Sequence, residues 1–387
     1  MRIEVWPHPA DFYDTSKDRS SWKAGQICQA SNNNSPFVVL QQWNTHFRWE
    51  RWFTTPAFSE NEWFYKVSSS DWLWTKPILA DAVRTYRTVA WDLVAMWADD
   101  IWRNWWVPFA VSNTLTLSRI DNDEQEVASI ELFQGLWDTA KEQKLVLLEW
   151  ETAFHSECMD SPNPNANLPF DWSCTIHWVN HPDKIITWEK LQEGDLLVAF
   201  EQEWFWCNGI SKVRQAFALK YWPNWFTDAP REEIIEALSP SKVYALALAE
   251  ANGWYNEWLE RQIEMHAIAH LSWWSFESKL FEPFFKDKWL SAEIDELFSI
   301  TDITKKCATW LLEWDIKFWP EEMMKTWPGW QRMIVAVPPI DNNAENLIEI
   351  WKRNWFKAKV CWVVTKTAKW QEDKLIIENS DLDEIYS

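Results

Sequence analysis

The sequence predicts an α/β (α+β) fold in two domains. Strand-length apolar segments alternate with segments of helical period, 387 residues suggest two cores rather than one, and no repeat of solenoid period is visible. Residues 1–35 are polar and irregular, ending in Ser31-Asn32-Asn33-Asn34-Ser35-Pro36, a loop before a strand at 37–41. The pattern continues with a strand near 64–68, a helix over 76–99, a strand near 108–116, a helix across 125–143 and a strand at 144–148. Ser161 to Asn167 reads as a surface loop and Ser173 to Val179 as the strand that closes the first domain, which sets domains of 1–182 and 183–387.

The second domain opens with Gly194-Asp195, a strand at 196–200 and a helix around 211–220. Ser239 as N-cap and Pro240 in the first turn start a helix that runs to Asn252, ahead of Gly253. After Gln331 come a strand at 333–337, a helix at 344–354 and strands at 358–364 and 374–378.

Thirty-six tryptophans stand beside only six glycines, where average usage gives about 27 glycines. Tryptophan also occupies turn and cap contexts, as in Asn104-Trp105-Trp106 and Ser272-Trp273-Trp274-Ser275. In the 344–354 helix, Leu347, Ile348 and Trp351 share the apolar face, Lys352 and Arg353 suit the last turn, and the position that usually takes positive φ falls on Trp355. Two explanations stay open. The indoles pack an aromatic-rich core or form stacking platforms, or most stand where the natural protein has glycine, as when a UGA codon read as glycine is translated as tryptophan. UGG codons at Trp72, Trp74, Trp273 and Trp274 would sink the second.

Fifty-eight acidic against thirty-seven basic residues give a net charge of −21. Such a chain disfavours nucleic acid and anionic membrane as partners, because both need a basic surface. The six cysteines form no C-x-x-C pair, so neither a zinc knuckle nor a disulfide framework is indicated, and a reducing, cytoplasmic setting is expected. No basic-then-apolar leader opens the chain, and no apolar run reaches membrane-spanning length.

The densest constellation is Asp71-Trp72-Leu73-Trp74-Thr75-Lys76 after a strand. With glycine at 72 and 74 it offers a carboxylate for a metal, bare backbone for a phosphate, and a hydroxyl and an ammonium as ligands. An ordinary strand-to-helix turn is the plain alternative. Asp92 and Asp99, seven apart, share a helix face and Asp100 begins the turn; they are candidates to hold Mg²⁺ or to form a solvated acidic face.

Matching motifs follow in order, and with them the chain resembles the aminoimidazole ribonucleotide synthetase (phosphoribosylformylglycinamidine cyclo-ligase) family. Asp71 to Lys76 resembles Asp-Gly-Val-Gly-Thr-Lys, and Asp92-Leu93-Val94-Ala95-Met96 with Asp99-Asp100 resembles Asp-Leu-Val-Ala-Met with Asn-Asp. Trp150-Glu151-Thr152-Ala153 resembles Gly-Glu-Thr-Ala, and Asn208-Gly209-Ile210-Ser211 resembles Asn-Gly-Tyr-Ser. His266-Ala267-Ile268-Ala269-His270-Leu271-Ser272-Trp273-Trp274 is similar to His-Ala-Ile-Ala-His-Leu-Thr-Gly-Gly. Met323-Met324-Lys325-Thr326 resembles a late motif. Family glycines fall on tryptophans 72, 74, 150, 188, 273, 274 and 362, which favours the glycine reading and places Trp72, Trp74, Trp150, Trp273 and Trp274 at turns or ligand-facing loops.

The resemblance implies an ATP-binding first domain, an α/β second domain and ATP-dependent cyclisation of formylglycinamidine ribonucleotide in purine biosynthesis. It implies Asp71 and Asp100 at Mg²⁺, and Trp72, Trp74, Thr75, Lys76, Glu151 and Thr152 at the nucleotide. Asn208, Gly209, Ser211, Trp273 and Trp274 would meet the nucleotide substrate. Lys76, Asn208 and His270 carry the catalytic expectation, and His266 reads as a satisfied core histidine. A homodimer through the first domains is implied as well. The family's His-Ser-Asn-Gly is Trp206-Cys207-Asn208-Gly209 here, and a motif glycine is Glu149, so a different ATP-using small-molecule kinase or synthetase, or a non-catalytic nucleotide-binding paralogue, are the alternatives.

Overall fold

The structure, a computed structural model, describes residues 2–5, 38–41, 44–48, 65–98, 106–180, 184–222, 224–253, 262–272, 276–295, 297–327, 331–368 and 371–387. Strand β1 (Arg2–Val5) does not join the strands that follow it in the chain. Those build a six-stranded sheet from β2 (Val38–Gln41), β3 (Asn44–Arg48), β4 (Tyr65–Trp72), β5 (Val107–Leu117), β6 (Val146–Phe154) and β7 (Phe170–Asn180), in the order β2-β3-β4-β7-β5-β6. Neighbours are antiparallel except β5 and β6, which run parallel because the helix Asp123–Glu142 crosses between them.

That helix shows how local sequence sets an element. Its N-cap Asn122 accepts the Gln125 N–H at 3.0 Å, three carboxylates fill the first turn, and Lys141 lies in the last, each matched to the helix dipole. Ala128, Leu132, Leu136 and Ala140 recur on its buried face, and Gly135 lets it approach the 87–90 turn: a Cβ there would lie 2.0 Å from the Arg87 carbonyl oxygen.

A second sheet has the order β12-β8-β11-β9, from β8 (Leu196–Glu201), β9 (Ala267–His270), β11 (Gln331–Val337) and β12 (Ala358–Val363), all antiparallel. Leu197 to Phe200 and Met333 to Val337 are buried without alternation, so both faces of the sheet are covered. Trp351, on the helix Asn343–Arg353, stacks on Phe200 with ring centroids 3.9 Å apart. The third sheet adds β10 (Leu290–Ile294), β13 (Thr365–Lys366) and β14 (Leu375–Glu378) in the order β1-β14-β10-β13. The expected irregular lead of 1–35 therefore contains a strand that pairs, residue for residue, with 375–378.

Two expected helices are corrected. The 76–99 segment breaks into Lys76–Ala82 and Val89–Ala98, because Arg84 takes φ 53 and the Thr85 N–H closes back on the Ala80 carbonyl at 2.9 Å. The buried Asp81 then holds the break, accepting from the Tyr86 hydroxyl and the Asn167 and Leu168 N–H groups. Ser239 is not an N-cap. It ends the helix Arg231–Leu238, and the next helix is Ala245–Ala251.

Trp355 does adopt the left-handed conformation expected after its helix, at φ 63. Its N–H donates to the Lys352 carbonyl and the Phe356 N–H to the Trp351 carbonyl, both at 3.0 Å, which is a full Schellman closure. Trp74 and Trp289 also have positive φ. So do Arg84, Lys144 and Asp315, which close helices with the same pair of bonds, so tryptophan is one of several residue types standing where glycine is favoured.

Candidate functional site

The 71–76 turn ends β4. Leu73 is fully buried and its N–H donates to the Trp172 carbonyl at 3.0 Å, which anchors the turn to β7, while the rings of Trp72 and Trp74 project into solvent on either side. Trp74, at φ 54, bears the positive φ with its side chain mostly exposed, at 58%. Asp71 Oδ1 accepts the Trp72 N–H at 2.7 Å. Its strand partner Cys174 has a thiol pushed well up by burial and then by the Asp71 charge. Thr75 Oγ1 is buried and makes no hydrogen bond.

Sheet register places Glu151 and Thr152. Trp72 pairs with Ser173, Ser173 with Thr114 and Thr114 with Glu151, so Trp72 and Glu151 lie on one row across four strands, with Thr152 on the next. Three strand spacings of about 4.8 Å separate the ends of that row, roughly 14 Å. Asp71 belongs to the neighbouring row, whose side chains point to the opposite face. Glu151 and Asp71 therefore share a sheet without converging.

Lys76 is placed elsewhere than at an open phosphate position. Its ammonium is completely buried and donates to Asp92 Oδ1 at 2.6 Å, to the Phe205 carbonyl at 3.0 Å and to the Ser239 carbonyl at 3.1 Å. Asp92, expected on an acidic metal-holding face, is equally buried, and burial raises its carboxyl above the usual range against the lowering effect of Lys76.

In the second half, one loop and the following helix carry Asn208, Gly209 and Ser211. Gly209, at φ 79, starts the helix Ile210–Lys220, with Asn208 half-buried before it and Ser211 exposed in its first turn. A Cβ on Gly209 would lie 2.3 Å from the Thr326 carbonyl oxygen, and its own carbonyl accepts the Trp327 indole N–H at 3.0 Å. Trp206 packs on the buried His270, ring centroids 5.0 Å apart. His266 is satisfied by Asp195 at 2.8 Å, as expected of a core histidine.

Sequence reasoning missed Glu277. It lies in a π-helical turn, Glu277–Phe281, with Oε1 buried and unpartnered and Oε2 3.8 Å from Lys325 Nζ. Burial pushes its carboxyl up to about 7, against the pull of Lys325. A π-turn around a buried acid is a signal only the fold reveals.

Asp100, Trp273 and Trp274 lie outside the described residues. Trp150 sits within β6 rather than at a turn, and Trp188, in a 3-10 turn, donates its indole N–H to the Ile268 carbonyl. Among the described residues no group of three or more His, Cys, Asp or Glu side chains is arranged to hold a metal. Asp71 supplies one carboxylate, whose Oδ1 already accepts the Trp72 N–H. No described helix is long and apolar enough to cross a membrane.

No model of a known protein family matches the chain. It is distantly homologous to proteins named phosphoribosylformylglycinamidine cyclo-ligase: that of Pyrococcus horikoshii is 23% identical over 212 residues, 54% of this chain and 56% of that protein. The protein of that name from Methanococcus maripaludis is 27% identical over 289 residues, 74% of each. The chain thus spans about half the length of relatives such as the Pyrococcus protein. Among solved structures, AaThiL complexed with AMPPCP and TMP superposes with a TM-score of 0.50 at 10% identity, covering 94% of this chain and 96% of that one. The fold is a mixed α/β one similar to that of AaThiL.

Proposed function

We propose that the protein is an ATP-dependent enzyme that closes the imidazole ring of formylglycinamidine ribonucleotide, yielding aminoimidazole ribonucleotide, ADP and phosphate. The observation that carries this reading is the 3.0 Å bond from Lys76 to the Phe205 carbonyl, which holds the 71–75 turn beside the 206–211 loop. The homologues' name supplies the reaction. In this reading ATP phosphorylates the formamide oxygen, the amidine nitrogen attacks the activated carbon, and the oxygen leaves as phosphate. Such chemistry asks the protein chiefly for positioning and charge neutralisation.

The residue roles follow the same reading. Asp71 and Thr75 face the nucleotide phosphates, Thr75 with a hydroxyl that has no other partner. Thr152, on the same sheet face as Asp71, lies nearer the nucleotide than Glu151, whose side chain points to the other face; Asn208, Gly209 and Ser211 meet the ribonucleotide, and His270 orients the reacting amide. Magnesium would take Asp71 and Asp100. The division into domains 1–182 and 183–387, a cytoplasmic setting and a homodimer belong to the proposal. Exposed Val146, Leu148 and Phe154 on edge strand β6 support pairing through the first sheet. Glycine is proposed as the natural residue at Trp72, Trp74, Trp273 and Trp274.

Incubation of the full chain with formylglycinamidine ribonucleotide and ATP should release ADP and aminoimidazole ribonucleotide in equal amounts, and reversion of those four tryptophans to glycine should raise the rate. ADP without aminoimidazole ribonucleotide would sink this reaction, the phosphoryl group then going to water or staying on the supplied ribonucleotide without ring closure. Nucleotide binding without turnover in either form would leave a non-catalytic paralogue.

A further inference from the structure

We propose that Lys76 and Asp92 are a positioning pair, a buried ionic node that fixes the 205–210 loop and the 239–241 segment against the 71–75 turn. The structural part stands without the proposed reaction; only the turnover readout below rests on that reading.

An ammonium has three hydrogens, and three acceptors take them: Asp92 Oδ1, the Phe205 carbonyl and the Ser239 carbonyl, at 2.6, 3.0 and 3.1 Å. None is left for a phosphate oxygen. Asp92 Oδ1 in turn accepts the Ser241 N–H at 3.0 Å and the Ser241 hydroxyl at 2.7 Å. Its Oδ2 is buried and has no partner. A carboxylate with one oxygen serving three donors and the other none is aimed at those donors, at the expense of its own solvation.

The node's place in the chain gives it leverage. Lys76 follows Thr75 directly and begins the helix Lys76–Ala82, Asp92 lies in the first turn of Val89–Ala98, and Phe205 directly precedes Trp206. The segments it ties to Lys76 are 129 and 163 residues away along the chain. Through Lys76 the start of the helix Lys76–Ala82 is bonded directly to the backbone at residues 205 and 239. A shift of the ammonium therefore moves the turn and the loop relative to one another. Buried ion pairs of this type act through geometry, since an apolar pair of equal volume serves packing as well or better.

Lys76→Met alone would leave the Asp92 charge buried and unpaired, so the decisive variant in the full chain is Lys76→Met/Asp92→Asn, which removes both charges and keeps the side-chain volumes. Amide hydrogen exchange at 205–210 and 239–243 should accelerate about tenfold or more, while that of β5 and β7 stays within about twofold. In ATP turnover kcat should fall about tenfold with KM for ATP moving less than about threefold, because no phosphate contact is lost. Exchange like the parent's would overturn the proposal, as would a KM rise of about tenfold with exchange unchanged, which would make Lys76 a phosphate ligand. Should the double variant not fold, Ser241→Ala keeps both charges and removes one bond. It should speed exchange at 239–243 by about threefold, and no change there also overturns the proposal. Accelerated exchange in a chain that turns over no ATP would sink the proposed reaction and leave the positioning role standing.

Discussion

The 71–75 turn and the 206–210 loop carry the same expectation, backbone left bare for a ligand, and meet it in opposite ways. Trp74 holds positive φ with its ring in water, so the cost is confined to its own backbone. Gly209 holds positive φ against Thr326, where even a methyl group has no room. Left-handed backbone is thus tolerated in a bulky residue where the side chain has an exit, and reserved for glycine where a neighbouring chain closes it.

The comparison breaks most readily at Gly209. Gly209→Ala should cost about 2–5 kcal/mol, combining about 1–3 for overpacking with about 1–2 for the left-handed conformation, read as a lower urea midpoint at unchanged m. A loss under about 0.5 kcal/mol would show that the end of the helix Pro320–Thr326 yields and that the two segments do not differ in kind.

A smaller effect tests how closed the second region is. Glu277 has a folded pKa of about 7 against an ordinary 4.5, so the folded state binds more protons than the unfolded state between those values. Its contribution is complete below about pH 4.5 and is lost as pH rises through 7. Glu277→Gln should therefore stabilise the protein by about 1–3 kcal/mol at pH 8 and change little at pH 4.5. Equal effects at both pH values would show a solvated carboxyl.

The smallest effect sharpens the other side. Trp74→Gly should raise stability by about 1 kcal/mol, the relieved strain of about 1–2 less the added freedom of a glycine in the unfolded chain. Trp355→Gly, remote from the turn and 93% exposed, should gain as much and leave nucleotide affinity unchanged, whereas Trp74→Gly should tighten it. Destabilisation in both would count against glycine as the natural residue at these positions.

Periodicity made the long elements legible. The strands at β4, β5, β7, β8, β11 and β12 and the helices at 123–142, 210–220 and 343–353 fall within a few residues of their expected places, and β5, β7, β8, β11 and these helices carry the buried apolar faces that mark them. The break at Arg84 was hidden since no glycine marks it and its determinant, Asp81, is held by Tyr86 together with backbone N–H groups 86 and 87 positions away. β9 and β10 are too short to show a period. At the candidate site the partners were not legible: Lys76 reads as a phosphate ligand until the carbonyls of Phe205 and Ser239 are seen to surround it.

Strand β1 bonds to β14, and this has a kinetic meaning. Their ladder closes a loop of about 370 residues, at an entropic cost of about 5 kcal/mol that four residue pairs recover only on a surface already formed. β10 and β14 have to associate first, across a gap roughly a fifth as long, and the amino-terminal strand then docks as a finishing step. Until it does, β14 presents an open edge to any other extended chain, so the interval before docking is when this protein is most exposed to mispairing.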